Sequence, residues 1–367
     1  MTRLREAQWE DYKGIASLRR SLGLSTNPFK DWIRLWRENP VFKELEGNWP
    51  IGWVLESDTG HIVGYLGNIP MRYELEGEKL LAAAASSWVV DSKYRSHALG
   101  LISKFIHQKI PDFLLDTSAT STAGKAIELF RARKVPTPGY DEVLFWITGY
   151  SGFGRSLFLR KKCPLPNVFG PLVGFALRAA ESLSGHNFPV EKSTEWRPKT
   201  LFSFNDQFDD FWSKIRQQKR KLLVVRDRST LAWHFEPFFK RNLGWVAVCE
   251  SGSEMVGYAV FIRRDNPETG LKRVNLADIQ ILDNAPEVLL SLIETGLKQC
   301  REKKIDLLEI IGFEEEKRHI LKTLGPWTRR FSHCPFYYLT NKKNLSNLLE
   351  NPALWDPSIT DGDACLY

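Results

Sequence analysis

The sequence predicts an α/β protein of the α+β kind, built as two units in tandem, each a mixed and mostly antiparallel central sheet flanked by helices. Three observations carry that prediction. The chain has 367 residues, about twice the length of an ordinary domain. Hydrophobic residues make up 43% and charged residues 26%, with 22 Phe and 13 Trp, which excludes a disordered chain and supplies two cores. Finally, one pattern occurs twice. Trp53-Val54-Leu55-Glu56, a turn and Val63-Gly64-Tyr65 return as Trp245-Val246-Ala247-Val248, a turn at Ser251-Gly252-Ser253 and Val256-Gly257-Tyr258. Upstream, Trp36-Arg37-Glu38-Asn39-Pro40 returns as Trp233-His234-Phe235-Glu236-Pro237 at nearly the same separation. Two echoes in the same order mark a duplication.

The elements follow in order. Residues 2–7 read as a short strand, and a helix over 9–22 carries Ile15, Leu18 and Leu22 at helical spacing. Asn27-Pro28 supplies a cap and first-turn pair for a second helix with Trp32, Leu35 and Trp36 on one face. The period then changes to two. Residues 53–56, the turn Asp58-Thr59-Gly60 and residues 62–69 form one hairpin, and 72–76, Gly77 and 80–90 form another. A helix over 99–109, a strand over 113–117, a helix over 122–134 and a strand over 142–147 complete an alternating unit. The first domain therefore spans residues 1–150. Residues 151–200, rich in Gly and Pro, read as a linker with one short amphipathic helix at 171–178. The second domain spans 201–367 and repeats the order: strand 274–282, helix 286–303, strand 307–311, helix 314–324, strand 336–340.

Several function classes drop out. No apolar run reaches the roughly 18 residues of a membrane helix, and residues 1–6 lack an apolar signal region, so the expectation is a cytoplasmic protein with no transmembrane segment. Cys163, Cys249, Cys300, Cys334 and Cys365 stand far apart, without the paired spacing of a zinc site or a disulfide framework; no metal is expected. The net charge of +7 and pI near 9.0 favour anionic partners: nucleic acid, an acidic lipid face or a phosphorylated cofactor.

The segment that could carry chemistry is Asp91-Ser92-Lys93-Tyr94-Arg95-Ser96-His97-Ala98-Leu99-Gly100, between the strand ending Trp88-Val89-Val90 and the next helix. A strand-to-helix turn aims free backbone N–H groups and the positive end of the helix dipole at one spot. Small residues at Ser96, Ala98 and Gly100 let a diphosphate approach the backbone, and Arg95 adds a charge-assisted contact. An ordinary connection that happens to contain Arg and Gly is the competing reading.

Val90, Tyr94, Arg95, Ala98 and Gly100 resemble the motif of the GNAT superfamily of N-acyltransferases, where a valine ending the fourth strand leads into Arg/Gln-x-x-Gly-x-Gly/Ala. Ala98 stands for the first glycine and Ser92 for the usual proline. The order of elements over residues 2–147 is similar to that fold, and the resemblance covers essentially the whole chain once the repeat is counted. It implies two tandem GNAT-like domains and acetyl-CoA, or another acyl-CoA, as co-substrate. It further implies that Trp88, Val89 and Val90 grip the pantetheine, and Arg95, Ser96, His97, Ala98, Leu99 and Gly100 the pyrophosphate. In the second copy Asp283-Asn284-Ala285-Pro286 follows the matching strand, with no Arg/Gln, no glycine spacing and an added negative charge. That copy is expected to complete the acceptor pocket or support the first, without binding coenzyme A.

GNAT chemistry is attack of an amine on the thioester, which needs a base or water path and often a tyrosine acid. Phe130 stands at that tyrosine's position; Asp116 and Ser118 are the catalytic candidates, Asp91 and His97 flank the loop, and a cap is the competing role for Asp116. The resulting expectation is an acyl-CoA N-acyltransferase. Its acceptor is a small-molecule amine, such as an amino sugar or nucleotide-sugar, in the groove toward the second domain, with no stable nucleic-acid complex. A Fem-type aminoacyl transferase using aminoacyl-tRNA and a non-catalytic binding protein of the same fold are the alternatives. Lys214, Arg216, Lys219, Arg220 and Lys221 form a basic run on a helix that also carries Phe208, Phe211, Trp212 and Ile215, read as a solvated face. His333-Cys334 face opposite ways on a strand, so Cys334 reads as core, and Asp361-Gly362-Asp363 as a plain turn.

Overall fold

The structure is a computed structural model describing residues 2–163, 165–183, 196–218 and 221–366. β1 (Thr2–Glu6) opens the chain. α1 (Tyr12–Ser21) buries Ile15 and Leu18, while Leu22, expected on the same face, lies past its end and is exposed; α2 (Phe29–Arg37) buries Trp32, Leu35 and Trp36 as their spacing predicts, but Pro28 and not Asn27 takes its cap position, with no side-chain cap. Asn39 caps α3 (Pro40–Glu44) by accepting from the Val41 N–H at 2.9 Å. Four strands then pair in sequence. β2 (Gly52–Ser57) joins β1 and β3 (Ile62–Leu75), and β3 joins β4 (Glu78–Val90). Glu76 and Gly77 turn that last hairpin with φ of 52° and 85°, the left-handed pair that a two-residue loop requires. α4 (Ala98–Ile106) crosses over to β5 (Phe113–Asp116), which runs parallel to β4 along residues 82–84. α5 (Ser121–Glu128) and β6 (Arg133–Lys134) follow.

Next come β7 (Glu142–Ile147), α6 (Tyr150–Arg160) and α7 (Pro166–Leu183). The second half holds β8 (Lys199–Leu201), α8 (Gln207–Gln218), β9 (Leu223–Val224), α9 (Arg228–Lys240), β10 (Gly244–Ser251), β11 (Glu254–Arg263) and β12 (Arg273–Ile281). It continues through α10 (Pro286–Glu302), β13 (Leu307–Ile310), α11 (Glu315–Lys322), β14 (Trp327–Arg330), β15 (Tyr337–Leu339) and α12 (Lys343–Leu349). The first sheet is ordered β1-β2-β3-β4-β5-β15-β6, with β9 on β3; the second is β14-β7-β13-β12-β11-β10-β8. Matched strand by strand, the two sheets are one design used twice.

The match holds only because two strands change places. The expectation that residues 142–147 close the first sheet and 336–340 the second is corrected: β7 lies antiparallel between β13 and β14, and β15 lies antiparallel between β5 and β6. Both are short apolar runs, and nothing in an alternating pattern states which sheet a strand will join. The linker is corrected too. α6 and α7 form a packed helical hairpin in which a side chain at Gly154 would meet the Gly170 carbonyl at 2.2 Å. Glycine, a helix breaker by propensity, serves here as the contact surface between two helices. Residues 184–195 of the linker lie outside the described residues.

The layers run α4 and α5, first sheet, middle layer, second sheet, α10 and α11. One core is shared between the halves: Trp36, Ile69 and Phe113 join Phe208, Phe235, Val246 and Tyr258. Within this middle layer runs the C-terminal tail, residues 355–366, almost all of it buried. Asp356 binds the Lys317 ammonium, and both are fully buried. Burial alone would strip the proton from Lys317, but Asp356 and then Glu314 hold its pKa above the ordinary value. The Tyr73 hydroxyl donates to the Asp361 carbonyl at 2.5 Å, and nearby Arg226 pairs with Asp278 at 2.9 Å. Asp361-Gly362-Asp363, read from sequence as a plain turn, is thus part of the interior.

Two outcomes follow. Asp356→Ala leaves the buried Lys317 ammonium with only the longer Glu314 pair at 3.8 Å, so it is expected to cost about 3 kcal/mol in urea melts; a loss below about 1 kcal/mol would contradict the pairing. Burial pushes the Asp361 carboxyl up to about 7, against the pull of Arg226. A pKa raised on folding gives stability that is full at acid pH and lost as pH rises through the folded value. Asp361→Asn should therefore lose less Tm than wild type between about pH 5 and 8 in thermal scans, and equal slopes would remove Asp361 from the effect.

Candidate functional site

β4 and β5 pair only as far as Ala84 and Leu115; beyond that β4 stays with β3 and the two parallel strands part. The parting is reinforced by a bulge. The register with β3 jumps from Tyr65↔Val89 to Gly67↔Ser86, and Ser87 takes φ 56°. A bulge of this kind bends its strand and re-aims side chains. Trp88, Val89 and Val90 lie on the parted stretch of β4, and the Trp88 indole N–H is buried without a partner.

The turn after Val90 is a short 3-10 helix over Ser92–His97 running straight into α4. Asp91 caps it, its carboxylate accepting from the Lys93 N–H at 2.8 Å. The amides of Tyr94 and Ala98 bond within the turn. The sequence reading gives this turn free amides; the structure engages those three internally and leaves the Arg95, Ser96, His97 and Leu99 side chains exposed. Gly100 is not demanded by packing, because a side chain there would meet only Leu4 at an ordinary 3.5 Å.

At the point of the splay stands a group that sequence reasoning missed. Asp363 reaches from the tail to the hydroxyls of Ser118, Ser86 and Thr117; the Thr117 Oγ1 lies 3.4 Å from it. Gly362 makes the approach possible, since a side chain there would come within 2.3 Å of Thr117. Burial pushes the Asp363 carboxyl up and the three hydroxyls pull it back, leaving it at about 6. Asp116, one of the two sequence candidates, ends β5 and caps the following turn through the Ser118 N–H at 3.2 Å. Burial, and then the neighbouring Asp363, push it up to about 7. Ser118, the other candidate, donates to Asp363, so the structure brings Asp116 and Ser118 together around a third residue. Two buried carboxyls with different environments are the pattern that separates a base from an acid. The one local signal for Asp363 is its apolar company, Ala364-Cys365-Leu366, unusual for a solvated tail.

Tyr337 faces Asp116 across the β15–β5 pair. Burial pushes its phenol up to about 12, so it keeps its proton at neutral pH. With Ile102, Phe105, Leu115, Asp116 and Ile127 it lines a small apolar pocket of about 20 Å³ between α4, β5 and α5. Phe130 lies just past the end of α5, its ring 6.5 Å from that of His107.

The second half has the same splay, since β12 and β13 pair only over residues 273–276 and 307–310. Its own tail fills it. Thr360 donates to the Ala277 carbonyl at 2.9 Å, Asp356 takes the Lys317 ammonium beside the Ile279 carbonyl, and the Phe313 N–H bonds the Pro357 carbonyl. Asp283 and Asn284, both at positive φ, replace the loop of the first half. The groove between the halves, which the sequence reading assigns to an acceptor, is occupied by these residues and the shared core.

The remaining candidates have structural partners. Lys214, Arg216 and Lys221 pair with Glu254, Glu74 and Glu314; Lys219 and Arg220 lie outside the described residues. His333 reaches the Ala119 carbonyl at 3.0 Å, and burial pushes the Cys334 thiol up, so no thiolate forms there. Among the described residues no group of His, Cys, Asp and Glu is placed to hold a metal.

No protein-family model matches the sequence, and no curated protein sequence matches it. Solved structures do match, at low identity. A GCN5-related N-acetyltransferase from Kribbella flavida aligns with TM-score 0.54 and 12% identity over 96% of this chain and 73% of that one. One from Anabaena variabilis gives 0.54 and 11% over 92% and 72%. N-myristoyltransferase of Saccharomyces cerevisiae, solved with bound myristoyl-CoA, gives 0.54 and 11% over 92% and 79%. The chain has the GNAT-type acyltransferase fold, carried twice, with two strands, β7 and β15, exchanged between the copies.

Proposed function

We propose that the chain is an acyl-CoA-dependent N-acyltransferase, acetyl-CoA being the first donor to test. Residues 1–150 bind the donor, residues 151–200 connect, and residues 201–367 deliver the base. The observation that carries this reading is the Asp363 carboxylate held by three hydroxyls at the point of the β4–β5 splay. The bound myristoyl-CoA of a structural neighbour supports a coenzyme A thioester as donor.

The residues present fit such a donor. The buried, unpartnered Trp88 N–H is a donor waiting for a carbonyl, which a pantetheine amide supplies. The diphosphate lies against Arg95, Ser96 and His97 at the mouth of α4, with Ala98, Leu99 and Gly100 in its first turn. With the tail filling the second splay, one donor is bound per chain.

The chemistry then falls to the carboxyl pair. As the amine nitrogen bonds the thioester carbon, Asp363 takes the proton the nitrogen sheds. The C–S bond breaks, and the departing thiolate takes a proton from the Asp116 carboxyl, which recovers one from Asp363, so the proton lost by the nitrogen equals the one gained by the thiol. A base near pKa 6 is suited to that transfer at neutral pH. Asp116, at about 7, holds its proton longer, and Ser118 orients Asp363. The acceptor is an amine-bearing small molecule, with amino sugars and nucleotide-linked amino sugars the first class to screen. The ion pairs of Lys214, Arg216 and Lys221 weigh against aminoacyl-tRNA as the donor.

Calorimetry with acetyl-CoA should show one site per chain at micromolar Kd, weakened at least about tenfold by Arg95→Glu with Gly100→Asp. No binding by wild type would end the acyl-CoA reading. Once an acceptor is found, kcat/KM should rise as pH passes about 6, where Asp363 ionises. Asp363→Asn should cost about 10²-fold or more and flatten that rise; an unchanged profile would take the base away from Asp363.

A further inference from the structure

The hairpin of α6 and α7 is packed inside out for a protein in water. Its inner surface is glycine: side chains at Gly170 and Gly174 would strike the Arg155 backbone at 2.7 Å and the Tyr150 carbonyl at 2.5 Å. Its outer surface is large and apolar. Val168, Phe169, Leu172 and Phe175 are 57%, 41%, 62% and 75% exposed, and at about 100° per residue they make one stripe along α7, opposite those glycines; Leu165, 62% exposed, stands just before the helix. In water the preference is the reverse; small residues inside with large apolar residues outside is how helices pack in contact with lipid.

Charge identifies the surface that this stripe meets. Residues 150–180 hold Arg155, Arg160, Lys161, Lys162 and Arg178 and no Asp or Glu. Arg155, Arg160, Lys161 and Lys162 are exposed, and none has a carboxylate partner among the described residues. Arg160, Lys161 and Lys162 sit at the bend, directly before the apolar stripe begins. The run without charge, residues 163–177, is too short to cross a bilayer, and no helix among the described residues is long and apolar enough to do so.

We infer that this hairpin docks the protein on the surface of a bilayer containing anionic lipid, α7 lying in the interface with its stripe buried and the basic bend against the headgroups. Apolar burial and basic charge act together there, so binding weakens with salt.

The test is co-sedimentation of the full chain with vesicles. Vesicles of phosphatidylglycerol and phosphatidylcholine in equal amounts should bind at least tenfold more protein than phosphatidylcholine alone. Leu172→Glu with Phe175→Glu should cut binding at least tenfold, and Arg160→Glu with Lys161→Glu should do the same. All these residues are exposed, so both variants should keep the wild-type melting curve. A wild type that binds neither vesicle, or both equally, overturns the inference. So does a wild-type dimer in sedimentation equilibrium that ignores vesicles and falls apart on Leu172→Glu with Phe175→Glu, which would give the stripe to a second copy of the chain.

Discussion

The structure depends on one exchange of strands. β7 leaves the half in which it is made and pairs with β13 and β14, while β15 travels back to pair with β5 and β6. Each sheet is therefore completed by the other half, and the two cannot part without each losing a strand. The exchange also sets the path of everything after residue 339. Having visited the first sheet, the chain returns through the middle layer, where residues 355–366 are almost all buried. The tail enters the second splay at Asp356 and reaches the first at Asp363.

One duplication has thus produced two fates. The splay of the first half is lined by Ser86, Thr117 and Ser118 and admits a single carboxylate; that of the second is packed with the chain's own residues. The interior tolerates so many polar groups because they are matched. Arg226 meets Asp278, Tyr258 donates to the same Asp278 at 2.6 Å, and Lys317 meets Asp356. Buried charges are tolerable when paired and costly when single. His234, with no charge partner, is kept neutral by burial, its pKa lowered to about 3 beside Cys365.

The pattern of apolar residues revealed most elements and the duplication, because helix and strand periods are local. Residues 142–147 were legible as a strand, with bounds matching β7, yet not as a strand of the second sheet, since pairing is a long-range property. The hairpin over residues 150–183 was hidden because Gly and Pro are breakers on average and contact surfaces in particular cases. At the site, Asp116 and Ser118 could be named from their place at a strand end. Asp363 could not, because 246 positions separate it from its partner Thr117, and only the path of the folded chain brings them together.

A ribosome makes this protein in the wrong order for its own completion. While the first 150 residues are emerging, β5 has a bare edge, since its neighbour β15 is more than two hundred residues away in the chain. Such an edge is open to pairing with any passing strand, and closure waits on a contact of very long sequence separation, which makes late steps slow. A nascent chain of this kind is exposed to misassembly until β15 has emerged. The same arrangement gives a built-in check on completeness, because a product cut short before residue 337 lacks both the strand that seals the first sheet and the carboxylate that follows it.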